Sequence, residues 1–127
     1  MNFRVARHTN KLEPIITFYK DFLGLEVIGE FTNHDKYDGA FIGKVGLNWH
    51  LEFTTSEESP KHQTDKDDLL VFYLESEEEY ISVKQKFDDN GLSSVQSKNP
   101  YWNNNGSAYL DPDGFRIVIT IMKKIRP

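Results

Sequence analysis

The chain contains no cysteine, which excludes disulfides, thiolate nucleophiles and cysteine-ligated metals. It also lacks any long hydrophobic run. The longest apolar stretch, Leu69 to Leu74, is far too short for a membrane-spanning helix. Positive charge is scarce, and fifteen Lys and Arg against twenty Asp and Glu leave a net charge of -5. That balance argues against nucleic acid or an anionic membrane surface as a partner. No glycine-rich phosphate loop and no nucleophile elbow occurs in the sequence, so two common routes to catalysis have no local signature. The first residues, Met1 to Arg7, carry no apolar signal-peptide core, and a cytoplasmic location is expected.

What is present suits a folded domain. At 127 residues, with 38% hydrophobic and 28% charged residues, the chain is expected to be one globular domain with a sizeable core. The most informative stretch is Tyr109 to Thr120. Asp111-Pro112-Asp113-Gly114 offers turn chemistry at four consecutive positions, and a β-branched run follows it. This predicts a hairpin. Phe115, Ile117, Ile119 and Ile121 fall on one face, and Arg116, Val118 and Thr120 on the other.

Taken in order, Phe3 to His8 alternates as a strand, with Arg4, Ala6 and His8 sharing one side. From Leu12 to Leu23 the period becomes helical: Ile15, Phe18, Tyr19 and Phe22 form an aromatic-rich stripe, with Pro14 in the first turn and Gly24 as the stop. Strands are expected at Leu25 to Phe31, Tyr37 to Ile42 and Trp49 to Thr54, where His50, Glu52 and Thr54 share a face. A polar connector follows, with Pro60 and no periodicity. The order then repeats. Leu69 to Leu74 reads as a buried strand. Ser76 and Glu79 open a helix as a capping box, with Glu77 and Glu78 suited to its N-terminus. Gly91 ends that helix, and strands are expected at Leu92 to Ser97, Ser107 to Leu110 and Phe115 to Ile121. The acidic run Glu75 to Glu79 is explained by helix capping rather than by calcium.

Both halves therefore read strand, helix, strand, strand, strand. The expectation is an α+β fold of two βαβββ modules, 1–56 and 69–127, joined by a connector at 57–68. Together they would form a curved mixed sheet around a concave, partly polar cavity. Side chains expected in that cavity include Arg4, His8, His50, Glu52, Tyr73 and Arg116.

With this order and the Asp-Pro-Asp-Gly hairpin in place, the chain resembles the vicinal oxygen chelate superfamily: glyoxalase I, bleomycin resistance proteins and extradiol dioxygenases. The resemblance spans nearly the whole chain. It rests on Leu12 through Phe18-Tyr19 to Leu23-Gly24-Leu25, on Leu51-Glu52-Phe53, and on Asp111-Pro112-Asp113-Gly114. It implies a glyoxalase/bleomycin resistance/dioxygenase-type fold and a homodimer. Enzymes of that superfamily hold a divalent metal with four side chains on the concave face. The matching positions here are Arg4, Glu52, Leu69 and Val118. Only Glu52 is a suitable ligand, because a guanidinium is permanently charged and the two aliphatic side chains have no lone pair.

The expectation is therefore no resident cofactor or metal and no assigned catalytic residue, with His50 and Glu52 the weak candidates for either role and His8 a third donor for a shifted metal site. Arg4 would stand in for the missing cation, held by Glu52. The plainer alternative is an ion pair that closes an unused cavity. Arg116 could join Arg4 in binding a small anion, or lie paired at a wet rim. The segment Asn99 to Gly106, with Tyr101 and Trp102, reads as a flexible lid able to stack on a planar ligand, or as a packed loop or dimer contact. Tyr73 and Tyr109 are expected to supply wall hydroxyls. His34 and His62, in polar connectors, read as surface residues. Three functions follow: a metal-independent small-molecule binding protein; a metal-dependent lyase, isomerase or dioxygenase using His50 and Glu52; and an interaction module with a vestigial pocket.

Overall fold

A computed structural model describes residues 1–121, so the end of the second module lies outside the described residues. The chain divides into two compact units, Met1–His62 and Gln63–Pro127. The division falls inside the polar connector. Each unit carries a mixed sheet of its own, and the fold is α+β.

In the first unit, β1 (Phe3–His8) is followed by α1 (Leu12–Leu23), β2 (Glu26–His34), β3 (Tyr37–Gly43) and β4 (Trp49–Thr55). The strands lie in the order β1-β4-β3-β2. β1 runs parallel to β4, and the remaining pairs are antiparallel. The apolar stripe of α1 buries Ile15, Phe18, Tyr19 and Phe22. Tyr19 stacks on Phe53 with ring centroids 5.2 Å apart. Ala40, Ile42, Leu51 and Phe53 are buried with them, so one face of this sheet makes the core. By strict alternation the other face collects Arg4 and His8 from β1, His50 and Glu52 from β4, and Phe41 from β3.

The second unit contains β5 (Leu69–Leu74), α2 (Glu77–Asp89), α3 (Pro100–Asn105), β6 (Ser107–Leu110) and β7 (Arg116–Ile121). Its sheet has the order β5-β7-β6. Ser76 caps α2 as expected, its hydroxyl accepting from the Glu79 amide at 3.1 Å. The hairpin turn also forms as read: the Asp111 carboxylate accepts from the Asp113 and Phe115 amides at 2.9 and 3.1 Å. Gly114 takes φ +84, a conformation that side chains with a Cβ resist.

Two expectations for this unit are corrected. Leu92 to Ser97 is not a strand and leaves only an isolated bridge, Val95 to Ala108. Side chains have taken the backbone groups a ladder would use. Asn103 both accepts from the Ser97 amide at 2.8 Å and donates to its carbonyl at 3.0 Å. Arg116 donates to the Gln96 carbonyl at 3.1 Å. The segment Asn99 to Gly106, expected as a loop, instead contains the short helix α3. Its start is conventional, with Pro100 at the first turn and the Asn99 side chain accepting from the Tyr101 amide at 3.1 Å.

Candidate functional site

The site is built on β1, β4 and β3 of the first unit, on the face that does not form the core. In the parallel ladder Arg4 sits opposite His50, and Ala6 opposite Glu52. In the antiparallel ladder Phe41 sits opposite Glu52. The long Arg4 side chain therefore crosses β4 to reach β3. Its Nε donates to His50 Nε2 at 3.0 Å and its Nη1 to Glu52 Oε1 at 3.3 Å. The guanidinium carbon lies 5.0 Å from the Phe41 ring centroid, within cation–π range. His50 meets the same ring edge-on at 5.6 Å. Because His50 Nε2 accepts a hydrogen bond from Arg4 Nε–H, the neutral imidazole carries its own hydrogen on Nδ1.

Exposure within this cluster is uneven. The Arg4 side chain is 50% exposed and that of Glu52 only 14%. The carboxylate is thus largely withdrawn from water and compensated by a cation whose outer edge stays wet. Removal of the cation would strand the more buried partner, the costlier half of such a pair.

His8 faces the same side but serves a different end. Its Nδ1 lies 2.8 Å from Thr54 Oγ1, and its Nε2 lies 3.0 Å from Ser56 Oγ and 3.1 Å from the Glu58 carbonyl. A carbonyl can only accept, so Nε2 holds the hydrogen and Nδ1 receives one from Thr54. His8 thereby ties the connector to β1. His62, exposed as its polar surroundings suggest, adds to this, its Nε2 donating to the His8 carbonyl at 2.7 Å. The Tyr37 ring packs edge-on to His8 at 5.4 Å.

The remaining candidates belong to the second unit. Tyr73 on β5 is about one-third exposed and lies opposite Thr120. Tyr101 and Trp102 are on α3, their rings perpendicular with centroids 4.8 Å apart. Arg116 spends Nη1 on the Gln96 carbonyl, so it secures a loop of its own unit. Tyr109 is a correction. It is 2% exposed and stacks flat on Phe87 of α2, with centroids 3.7 Å apart. It is therefore a core residue beneath a helix and not a wall hydroxyl. Burial pushes its hydroxyl up to about 12, with Asp88 and then Tyr80 adding to the effect.

Four positions implied by the resemblance can now be tested as a metal site. The parallel ladders of the two units have matching register: Ala6 faces Glu52 in one, and Val71 faces Val118 in the other. Arg4 and Leu69 each stand two residues before those pairs. The fit fails chemically. Arg4 holds the lone pairs of His50 Nε2 and Glu52 Oε1 that a cation would need, and Leu69 and Val118 offer none. Among the described residues no group of three or more His, Asp or Glu lies close enough to hold a metal ion.

Sequence reasoning missed Phe41, Phe31 and Tyr37 as neighbours of the site. The alternation of Tyr37, Gly39 and Phe41 on β3 carried that signal, but the strand's partner and register were needed to read it.

Comparison with known proteins agrees with this architecture. Residues 3–54 match the YycE-like N-terminal domain and residues 67–121 the YycE-like C-terminal domain. The chain is 43% identical over 123 residues to the uncharacterized protein YycE of Bacillus subtilis (strain 168), covering 96% of this chain and 88% of that one. A crystal structure of a YycE protein of unknown function from Bacillus subtilis, grouped with the glyoxalase/fosfomycin resistance proteins, superposes with a TM-score of 0.87 at 42% identity, covering 98% and 91% of the two chains. The trypanothione-dependent glyoxalase I of Leishmania major shares the fold, with a TM-score of 0.74 at 19% identity over 96% of this chain and 86% of that one. TnmS3, an antibiotic binding protein from Streptomyces sp. CB03234, shares it with a TM-score of 0.66 at 14% identity over 95% and 94%. No helix among the described residues is long and apolar enough to cross a membrane. By these matches and its two-unit α+β fold, the chain belongs to the YycE-like family, whose structural neighbours are the glyoxalase and fosfomycin resistance proteins of the vicinal oxygen chelate superfamily.

Proposed function

We propose that this protein binds a small organic molecule without a resident divalent metal, on the polar face of its first sheet. Arg4 supplies the positive charge that a metal supplies in the enzymes of the superfamily. The observation that carries this reading is the Arg4 guanidinium itself, 3.0 Å from His50 Nε2 and 3.3 Å from Glu52 Oε1. It neutralises Glu52 and keeps an exposed edge for a ligand's anionic or acceptor group. A guanidinium suits that role because its charge is permanent and its donors lie in one plane. The antibiotic binding protein among the structural neighbours offers a precedent for the fold in a binding role.

Elemental analysis of the purified, untagged protein is the first test, and less than a tenth of an equivalent of any divalent metal is expected. A stoichiometric metal that disappears in Glu52→Ala would overturn the reading in favour of a metal-dependent lyase, isomerase or dioxygenase using His50 and Glu52. Thermal-shift screening with small organic anions is the second test. Arg4→Met is expected to abolish stabilisation by any hit. A variant that loses stability yet binds unchanged would reduce the Arg4–Glu52 pair to a structural ion pair. A homodimer in the cytoplasm is the proposed assembly and setting, checked by sedimentation of the untagged chain and by cell fractionation.

A further inference from the structure

We infer that the ligand is a planar, conjugated anion, such as an aryl or heteroaryl carboxylate, laid across an aromatic floor with its charged group at Arg4. This rests on the metal-free binding reading above and adds the chemical class of the ligand. The floor is made by β2 and β3. Across their ladder Phe31 faces Gly39, and Gly29 faces Phe41, so each ring is opposed by a residue without a side chain. The space is used. A Cβ at Gly39 would lie 2.3 Å from Phe31 Cζ, and one at Gly29 would lie 3.0 Å from Phe41 Cδ2. Both rings therefore fold down against the neighbouring backbone instead of standing away from it. Their centroids are 5.8 Å apart, and both remain partly open to solvent. Tyr37, 45% exposed, adds a further ring on the same strand face, edge-on to His8 at 5.4 Å.

The cation lies at the edge of this floor. Arg4 sits over Phe41 at 5.0 Å and uses Nε and Nη1 on His50 and Glu52. Its Nη2 has no hydrogen bond among the described residues. A ligand carboxylate at Nη2 would place a ring attached to it beside Phe41 and toward Phe31. Flat rings favour a flat partner through offset stacking, and a saturated ring gains only area. A cationic ligand would be repelled by Arg4, and a neutral one would offer Nη2 only an uncharged acceptor, which makes a weaker hydrogen bond than a carboxylate does.

Three probes separate the elements of this inference when titrated into the full-length protein by calorimetry or NMR: 2-naphthoate, cyclohexanecarboxylate and 2-naphthol. The planar acid is expected to bind about tenfold more tightly than the saturated one, with the neutral naphthol weaker than the planar acid. Phe41→Leu should erase the preference for the planar acid and leave the saturated acid unchanged. Phe31→Leu serves in its place should that variant fold poorly. Arg4→Met should weaken both acids. Equal affinity for the two acids, or a preference that survives both leucine variants, would overturn the aromatic floor while leaving Arg4 as the anchor. Failure of 2-naphthoate to bind the unaltered protein would also overturn the inference, whereas the metal-free reading stands or falls separately on elemental analysis.

Discussion

The two units share a parallel strand pair with a helix packed on its sheet, and carry different chemistry on it. Each has a parallel pair of strands in matching register, Ala6 opposite Glu52 in one and Val71 opposite Val118 in the other. Each packs a helix aromatic on a strand aromatic: Tyr19 on Phe53 in the first, Phe87 on Tyr109 in the second. On the face away from that stack, the first unit carries Arg4, His50 and Glu52, hydrogen-bonded together. The corresponding face of the second carries Leu69 and the fully buried Val118. A shared scaffold therefore does not imply a shared site. The functional reading follows from a few side chains in one unit, whereas Leu69 and Val118 of the other offer a cation no lone pair.

The comparison can be broken most forcefully in the cores. Phe53→Ala and Phe87→Ala are each expected to cost about 3–5 kcal/mol in urea unfolding, because both rings are almost fully buried and stacked. If one costs less than about 1 kcal/mol, the two helix-on-sheet stacks are not equivalent supports. The next effect belongs to the second unit. The Tyr109 hydroxyl sits at about 12 in the folded chain against an ordinary 10.0, so the folded state keeps its proton longer than the unfolded state does. The associated stability is complete below about pH 10 and is lost as pH rises through about 12, up to ~3 kcal/mol in all. Unfolding at pH 8 and pH 11 should show that loss, and Tyr109→Phe, which keeps the ring and removes the hydroxyl, should reduce it. An unchanged alkaline loss in Tyr109→Phe would assign it to other groups.

A smaller effect sharpens the contrast between a four-stranded and a three-stranded sheet. Asn103→Ala removes both side-chain bonds to the Ser97 backbone and is expected to cost ~1–3 kcal/mol. Faster amide exchange confined to Gln96, Ser97 and α3 would show that this side chain holds the segment where a strand was expected. No change in exchange there would remove that explanation.

Much of the architecture was legible because it is written in short-range patterns. The helical stripe at Ile15, Phe18, Tyr19 and Phe22, the Ser76 cap and the Asp-Pro-Asp-Gly turn each depend on neighbours within a few residues. The second unit resisted where local chemistry was ambiguous. Leu92 to Ser97 holds a single β-branched residue, Val95, and Asn103 and Arg116 compete for its backbone. Asn99-Pro100 was a readable helix start that the polar run after it obscured. Tyr109 fell on the helix side because its pairing opposite Ile117 sends it toward Phe87.

By itself the sequence determined the α+β order, the alternation that put Arg4, His50 and Glu52 on non-core faces, and the absence of lone pairs at Leu69 and Val118. Only the tertiary structure decided that Arg4 crosses β4 to engage His50, Glu52 and Phe41 at once, that His8 ties down the connector, and that Phe31 and Phe41 lie across Gly39 and Gly29. The reason is one of range. Periodicity fixes which face a side chain takes, but strand partners and register, set by contacts tens of residues apart, fix what it meets there.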